Sequence, residues 1–402
     1  MARQRSGAAA GRLALLLAFA LALAGRTAGQ AAVAAPKKYS SVLADCTPAD
    51  FGPPPKATSP QAQAILARFT GPPADTDTSR EGVVRERERI NGLSKSLSDK
   101  YQEAYVESSE VVDLGGVKAV HVTPKEGVAI NSEPSDNAAP RDTTNAILYF
   151  HGGAYTLGDP EVQYQSYAPM AVATGMDVYA IAYRLAPENP YPAALDDAVA
   201  AYKALLLKYS PKHIVLAGGS AGGHLAAALL LKLAALKEPL PAVAVLFSPW
   251  ALMGIADADT HFTLRCADPV LNVNALNASA NFYRGAAKNF DSPYLSPGKA
   301  NWKGVGAAYK AYYGRGLPVM IFSGTRELLL GDAAALADVM RRGAVNSHLR
   351  VYNGMWHSWS VGSPGPMMLP EAERATVEFA DFVAKNGFKA SAAAAAARMA
   401  AP

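Results

Sequence analysis

The chain has 402 residues, half of them apolar, with 38 Lys+Arg against 34 Asp+Glu and a formal net charge of +4. That length and apolar content suffice for one large α/β domain with a modest accessory region, and they exclude disorder through the middle of the chain. The basic residues form no stripe and carry no interleaved aromatic residues, which argues against a nucleic-acid-binding protein.

The N-terminus places Arg3, Arg5 and Arg12 ahead of an apolar run from Leu13 to Ala24. These are the basic and apolar parts of a secretory signal, so residues 1–24 are expected to be removed from a secreted or periplasmic protein. Cleavage after Ala24 would take the formal charge from +4 to +1, leaving a nearly neutral surface. No other stretch approaches the length of a membrane span. Residues 25–78, rich in Ala, Pro and Ser near their start, are expected to form a tether. Cys46 and Cys266 are the only cysteines. In an oxidising compartment they could form a bridge, and they read equally well as two buried small hydrophobes. Without a CxxC pair they do not suggest a zinc site.

A helix is expected from Ser79 to Ser98, where Val83, Val84, Ile90 and Leu93 interrupt a strongly charged Arg/Glu pattern. Its amphipathic character suits a small cap lying over the rest of the fold. Beyond Tyr105 short β runs begin. Val117–Thr123 and Ile147–Phe150 read as strands with a polar turn between them, and Val178–Tyr183 as another, followed by a Pro-rich bend and a helix from Ala193 to Lys208. Ile214–Ala217 is a strand and Leu225–Leu236 a helix. Val243–Phe247, Val319–Ser323 and Leu349–Tyr352 complete the strands. Strands separated by helices of this length imply βαβ units and a mostly parallel sheet. The segment 251–316 interrupts that alternation and is expected to complete the cap. A closing helix spans Glu371–Asn386, and 391–402 is expected to be a disordered tail. The domain proper is placed at 79–390.

Gly218-Gly219-Ser220-Ala221-Gly222 lies between an apolar strand and an Ala/Leu-rich helix. That order lifts one hydroxyl out of a sharp turn at the positive end of a helix dipole, as a nucleophile elbow does. Acyl transfer by a serine also needs a base, an orienting acid and donors for the developing oxyanion. Among seven histidines His357, in a loop after a strand, has the best context for the base. The acid should follow the preceding strand, where Glu327 is the first choice and Asp332 the competitor, with a surface pair to Arg326 as the plainer reading of Glu327. His151-Gly152-Gly153-Ala154-Tyr155 follows Ile147–Phe150 directly. Its Gly152 and Gly153 amides, with that of Ala221, are the expected oxyanion donors, and His151 reads as a brace for the loop.

Three stretches carry a resemblance: His151-Gly152-Gly153-Ala154, the run from Tyr183 to Asp197, and Gly218 to Gly223. Together they resemble the hormone-sensitive-lipase-like, or fold-3, family of α/β-hydrolases, over roughly residues 85 to 387. The resemblance implies an α/β-hydrolase fold, a mostly parallel central sheet flanked by helices, with a cap built mainly from N-terminal helices. It implies that Ser220 attacks an ester, that Gly152, Gly153 and Ala221 form the oxyanion hole, and that His357 is the base. The family's acid is most often aspartate in an Asp-Pro-Leu setting, whereas this chain has Glu327-Leu328-Leu329. Arg184 and Asp196 are expected to brace the loop behind the oxyanion hole.

The expected activity is therefore that of a serine carboxylesterase working through an acyl-enzyme, with no metal and no organic cofactor. Tyr155, Tyr164, Trp250 and Trp356 are expected to line the pocket and to favour small apolar esters with short to medium acyl groups. A lactonase or amidase with the same triad, and a non-catalytic binding protein of the same fold, are the alternatives. The expected assembly is a monomer or homodimer.

Overall fold

Eight strands form one sheet: β1 (Val106–Asp113), β2 (Lys118–Pro124), β3 (Asp142–Phe150), β4 (Met176–Ile181), β5 (Ile214–Gly219), β6 (Val243–Phe247), β7 (Pro318–Gly324) and β8 (Asn346–Tyr352). Their order is β1-β2-β4-β3-β5-β6-β7-β8. Pairings β1/β2 and β2/β4 are antiparallel, and every pairing from β4 to β8 is parallel. The computed structural model describes residues 51–53, 55–69, 77–130, 139–255, 257–361 and 369–388. The expected signal at 1–24, Cys46 and the expected tail at 391–402 lie outside the described residues.

The helices are α1 (Pro60–Leu66), α2 (Arg80–Tyr105), α3 (Tyr164–Thr174), α4 (Ala193–Leu205), α5 (Ala221–Leu236), α6 (Thr260–Thr263), α7 (Val273–Arg284), α8 (Lys303–Tyr313), α9 (Leu330–Arg342) and α10 (Pro370–Lys385). The central strands read as unbroken apolar runs because both faces of the sheet are covered. Successive side chains alternate between the two faces. Leu148, Phe150, Leu216 and Leu246 pack with α4, α5, α7, α8 and α9, while Ile147, Tyr149, Val215 and Val245 pack with α1, α2, α3 and α10.

Two expectations need correction. Within the span read as a tether, Ser59 caps α1 by accepting the Ala62 N–H, and Ala62 and Leu66, one turn apart, are buried against the core. The Pro-rich composition hid an amphipathic turn. The segment 251–316, expected in the cap, supplies α7 and α8 to the opposite layer. Trp302, Val305 and Tyr309 are buried there, and the Tyr309 hydroxyl donates to Ala242 O at 2.7 Å. A smaller difference concerns α2, which starts at its Ser79 cap but runs past Ser98 to Tyr105, because Tyr101 and Tyr105 are buried against the same core.

Candidate active site

Ser220 occupies the sharp turn between β5 and α5 with φ 55° and ψ −119°, a conformation that L residues rarely adopt. The turn is tight enough to require glycine two residues to either side of the serine. A Cβ on Gly222 would lie 2.0 Å from Phe150 O, and one on Gly218 would lie 2.4 Å from Gly222 O. The Ser220 N–H donates to Phe247 O at 2.8 Å, which ties the turn to β6. The hydroxyl is thereby held at the N-terminal end of a sixteen-residue helix, where the dipole favours developing negative charge.

His357 reaches this hydroxyl from the loop after β8. Its Nε2 lies 2.9 Å from Ser220 Oγ, at hydrogen-bond length. On the other side of the ring, Glu327 Oε2 stands 3.8 Å from His357 Nδ1, just beyond hydrogen-bond length. All three side chains are buried. Glu327 follows β7 as expected, and its carboxylate accepts from Ser248 Oγ (2.6 Å), Gly324 N (2.9 Å) and Ser323 Oγ (3.1 Å). Burial pushes this carboxyl above its ordinary value, against the opposing pull of His357 and of the Ser248 hydroxyl.

The plainer reading of Glu327 as a surface partner of Arg326 does not hold. Arg326 turns away to donate to Ala267 O and Phe51 O, with its guanidinium 4.3 Å from the Phe51 ring centre. Asp332 is elsewhere too. It pairs with His261 Nε2 at 2.6 Å and accepts the Leu252 N–H at 2.7 Å, both partners lying on the α5–α9 side.

The Gly-rich loop passes close to the serine, since a Cβ on Gly152 would stand 3.4 Å from Ser220 Cβ. Among the described residues, no acceptor takes the N–H of Gly152, Gly153 or Ala221. The loop is rigidly braced. His151 stacks on Tyr183 with centroids 4.2 Å apart, and the Tyr183 hydroxyl donates to His151 O at 2.7 Å. Burial lowers the His151 ring to about 4, so it is neutral at physiological pH. Behind the loop, Arg184 pairs with Asp197 at 2.7 Å rather than with Asp196.

A cavity of about 270 Å³ opens in front of Ser220. Trp356 lines it, as expected, along with Ile90, Leu157, Val270, Leu271 and Val361. Tyr155, Tyr164 and Trp250 do not. Tyr155 stacks on Tyr283 at 3.6 Å and bonds to His224 Nδ1, because the left-handed backbone at this residue (φ 63°) turns it into the opposite core layer. Trp250 is wholly buried in that same layer. Tyr164 packs under α2 with its hydroxyl on Ser109. In their place the N-terminal arm contributes Ile65 and Phe69 to the lining. Ser248 was also missed, although a serine at a strand end facing the site is a readable signal. Cys266 is buried and disulfide-bonded. Among the described residues, no group of three or more His, Cys, Asp or Glu is arranged to hold a metal ion. Among the same residues, no helix is long and apolar enough to cross a membrane.

A family profile described as alpha/beta hydrolase fold matches residues 147–361, which contain the elbow, the Gly-rich loop, Glu327 and His357. The chain belongs to the hormone-sensitive-lipase-like α/β-hydrolases. An acetyl-hydrolase of Streptomyces hygroscopicus is 33% identical over 282 residues, covering 69% of this chain and 84% of the relative. An esterase of Acinetobacter venetianus is 30% identical over 245 residues, covering 61% and 76%. Among solved structures, an esterase from the bacterial hormone-sensitive lipase family superposes with a TM-score of 0.63 at 30% identity, covering 76% of this chain and 96% of that one. A mutant of esterase E40 gives 0.64 at 31%, covering 77% and 93%. With the buried Ser220, His357 and Glu327 arrangement, this makes the α/β-hydrolase a serine hydrolase that acts on esters through an acyl-enzyme.

Proposed function

We propose that this α/β-hydrolase cleaves small carboxylic esters with short to medium acyl groups, with Ser220 as nucleophile, His357 as base and Glu327 as the acid of the triad. The observation that carries the reading is the 2.9 Å contact between Ser220 Oγ and His357 Nε2 at the floor of an apolar cavity. In the first step His357 Nε2 takes the hydroxyl proton as Oγ bonds to the ester carbonyl carbon. The carbonyl oxygen becomes an alkoxide facing the N–H groups of Gly152, Gly153 and Ala221. One such donor contributes roughly 3 kcal/mol to the transition state. His357 then passes its proton to the departing alcohol. Water enters, gives a proton to His357, and releases the carboxylic acid as Ser220 recovers its hydrogen. Glu327 balances the positive charge that the ring gains in each half.

The substrate size is argued from volume. A cavity of 270 Å³ lies just below the range of about 300–1,000 Å³ usual for ligand pockets, which favours compact esters over long acyl chains. The relative named acetyl-hydrolase points the same way. We further infer export, from the basic and apolar character of residues 1–24. The test is a series of p-nitrophenyl esters from acetate to palmitate, with kcat/KM expected to peak at or below octanoate and Ser220→Ala expected to abolish turnover. A maximum at palmitate would overturn the size argument, and an active Ser220→Ala would overturn the mechanism. Recovery of uncleaved protein inside cells would remove the export reading.

A further inference from the structure

Asp268 is a fully buried carboxylate that the steps above do not use. It sits in the connection between α6 and α7, where each of its oxygens has a separate task. Oδ1 accepts the N–H groups of Val270 (2.9 Å) and Leu271 (3.2 Å). Oδ2 accepts the N–H of Leu328 at 2.9 Å, sixty residues away. Val270 and Leu271 line the cavity in front of Ser220, and Leu328 directly follows Glu327. One carboxylate therefore joins the pocket wall to the turn that carries the acid. A second strut runs parallel to it, since Arg326 Nε donates to Ala267 O at 3.2 Å.

The Glu327 turn needs such an anchor. Glu327 and His357 are separated by 3.8 Å, and His357 Nδ1 has no hydrogen-bond partner among the described residues. A small movement of the turn decides whether the ring is gripped or left loose. We propose that Asp268 is a positioning residue for ester hydrolysis, setting the reach of Glu327 toward His357 and coupling that reach to the wall that meets the acyl group. The inference rests on the triad reading above. Asp268 also lies close enough to His357 for their charges to attract, so its carboxylate reinforces Glu327 when the ring is protonated.

The chemistry of the substitution makes the test directional. In Asp268→Asn the single amide oxygen can serve the two donors of Val270 and Leu271 or the one donor of Leu328, and the NH2 group faces whichever is left. Two donors outweigh one, so the wall is kept and the turn is released. Turnover of p-nitrophenyl acetate is measured per active site titrated with a fluorophosphonate. The expected result is a kcat lower by about tenfold or more, as displacement of a positioned group usually produces, with KM within about twofold of the parent. Asp268→Glu keeps the carboxylate and is expected to recover part of the lost kcat. If the Asn variant fails to fold, the Glu variant alone carries the test, because its longer side chain shifts the turn and is expected to lower kcat severalfold. Parental kcat per titrated site in either folded variant overturns the inference, as does a raised KM with unchanged kcat. Loss of the triad reading itself would appear separately, as turnover by Ser220→Ala.

Discussion

Ser248 stands between the two loops that must meet: its hydroxyl donates to Glu327 Oε1 at 2.6 Å and accepts the N–H of Ser358, the residue after His357, at 3.3 Å. One hydroxyl thus touches both the acid and the chain that presents the base. Removing it in Ser248→Ala leaves a buried carboxylate one donor short. We expect a stability loss of about 1–3 kcal/mol, the usual penalty for an unsatisfied buried group. We also expect kcat to fall several-fold while KM for a short ester stays near the parental value. Urea unfolding and steady-state kinetics measure the two effects, and an unchanged kcat would reduce Ser248 to a packing residue.

Glu327 and Asp332 are both wholly buried acids near the end of β7, yet they should fail in different ways. Glu327→Gln leaves the ring of His357 without its counter-charge. It should cut kcat by about a hundredfold or more, since an uncharged acid misorients the base. Asp332→Asn breaks a buried pair with His261, which should cost roughly 3–5 kcal/mol of stability and leave kcat per folded molecule intact. Titrated-site kinetics combined with chemical denaturation separates the two, and the reverse pattern would transfer the acid's role to Asp332.

His224 offers a pH test of the buried Tyr155 contact. Burial lowers this ring to about 3, well below its ordinary value. The unfolded chain takes up a proton that the folded chain refuses, so this ring's contribution to stability falls as pH drops from about 6.5 toward 3, by at most about 1.4 kcal/mol per unit. Burial raises the carboxyls of Glu327, Asp268 and Asp332, and these act in the opposite sense over the acidic range. The informative quantity is therefore a difference. The stability advantage of the parent over His224→Gln should shrink steadily between pH 6.5 and 4, and a constant gap across that window would contradict a neutral buried ring.

Arg326 fastens the N-terminal arm to the acid turn through Phe51. Arg326→Met removes the cation from the ring and both backbone contacts. An arm loosened in this way should let Ile65 and Phe69 move, raising KM for butyrate esters more than for acetate esters. The aromatic contact alone should account for about 1–2 kcal/mol of stability. A KM ratio equal to that of the parent would separate the arm from acyl recognition.

The elements that could be read locally are those whose function is fixed by neighbours in sequence. Gly218 and Gly153 are required by contacts four residues along the chain, and Gly222 and Gly152, whose closest contacts lie across the sheet at Phe150 and at Gly219 and Ser220, were legible because they complete the same short glycine motifs. Glu327 was recoverable from its place after an apolar strand. Tyr155, Tyr164 and Trp250 were misjudged for a related reason. Nearness to a motif along the chain does not say which face of the sheet a side chain enters, and the left-handed backbone at Tyr155 sends it to the far layer. Asp268 and the Ile65–Phe69 lining were silent in the sequence because their importance comes from partners 60 and more than 150 residues away, whereas Ser248 was signalled by its place at a strand end but not its partner, Glu327, 79 residues on.

Ser59 binds Glu371 through both its N–H (2.6 Å) and its hydroxyl (2.8 Å), across a separation of 312 residues. A ribosome therefore finishes the triad before it makes the clasp for the arm that walls the pocket. A chain ended between residues 357 and 371 would keep Ser220, Glu327 and His357 and lose this clasp on the arm that carries Ile65 and Phe69 to the cavity.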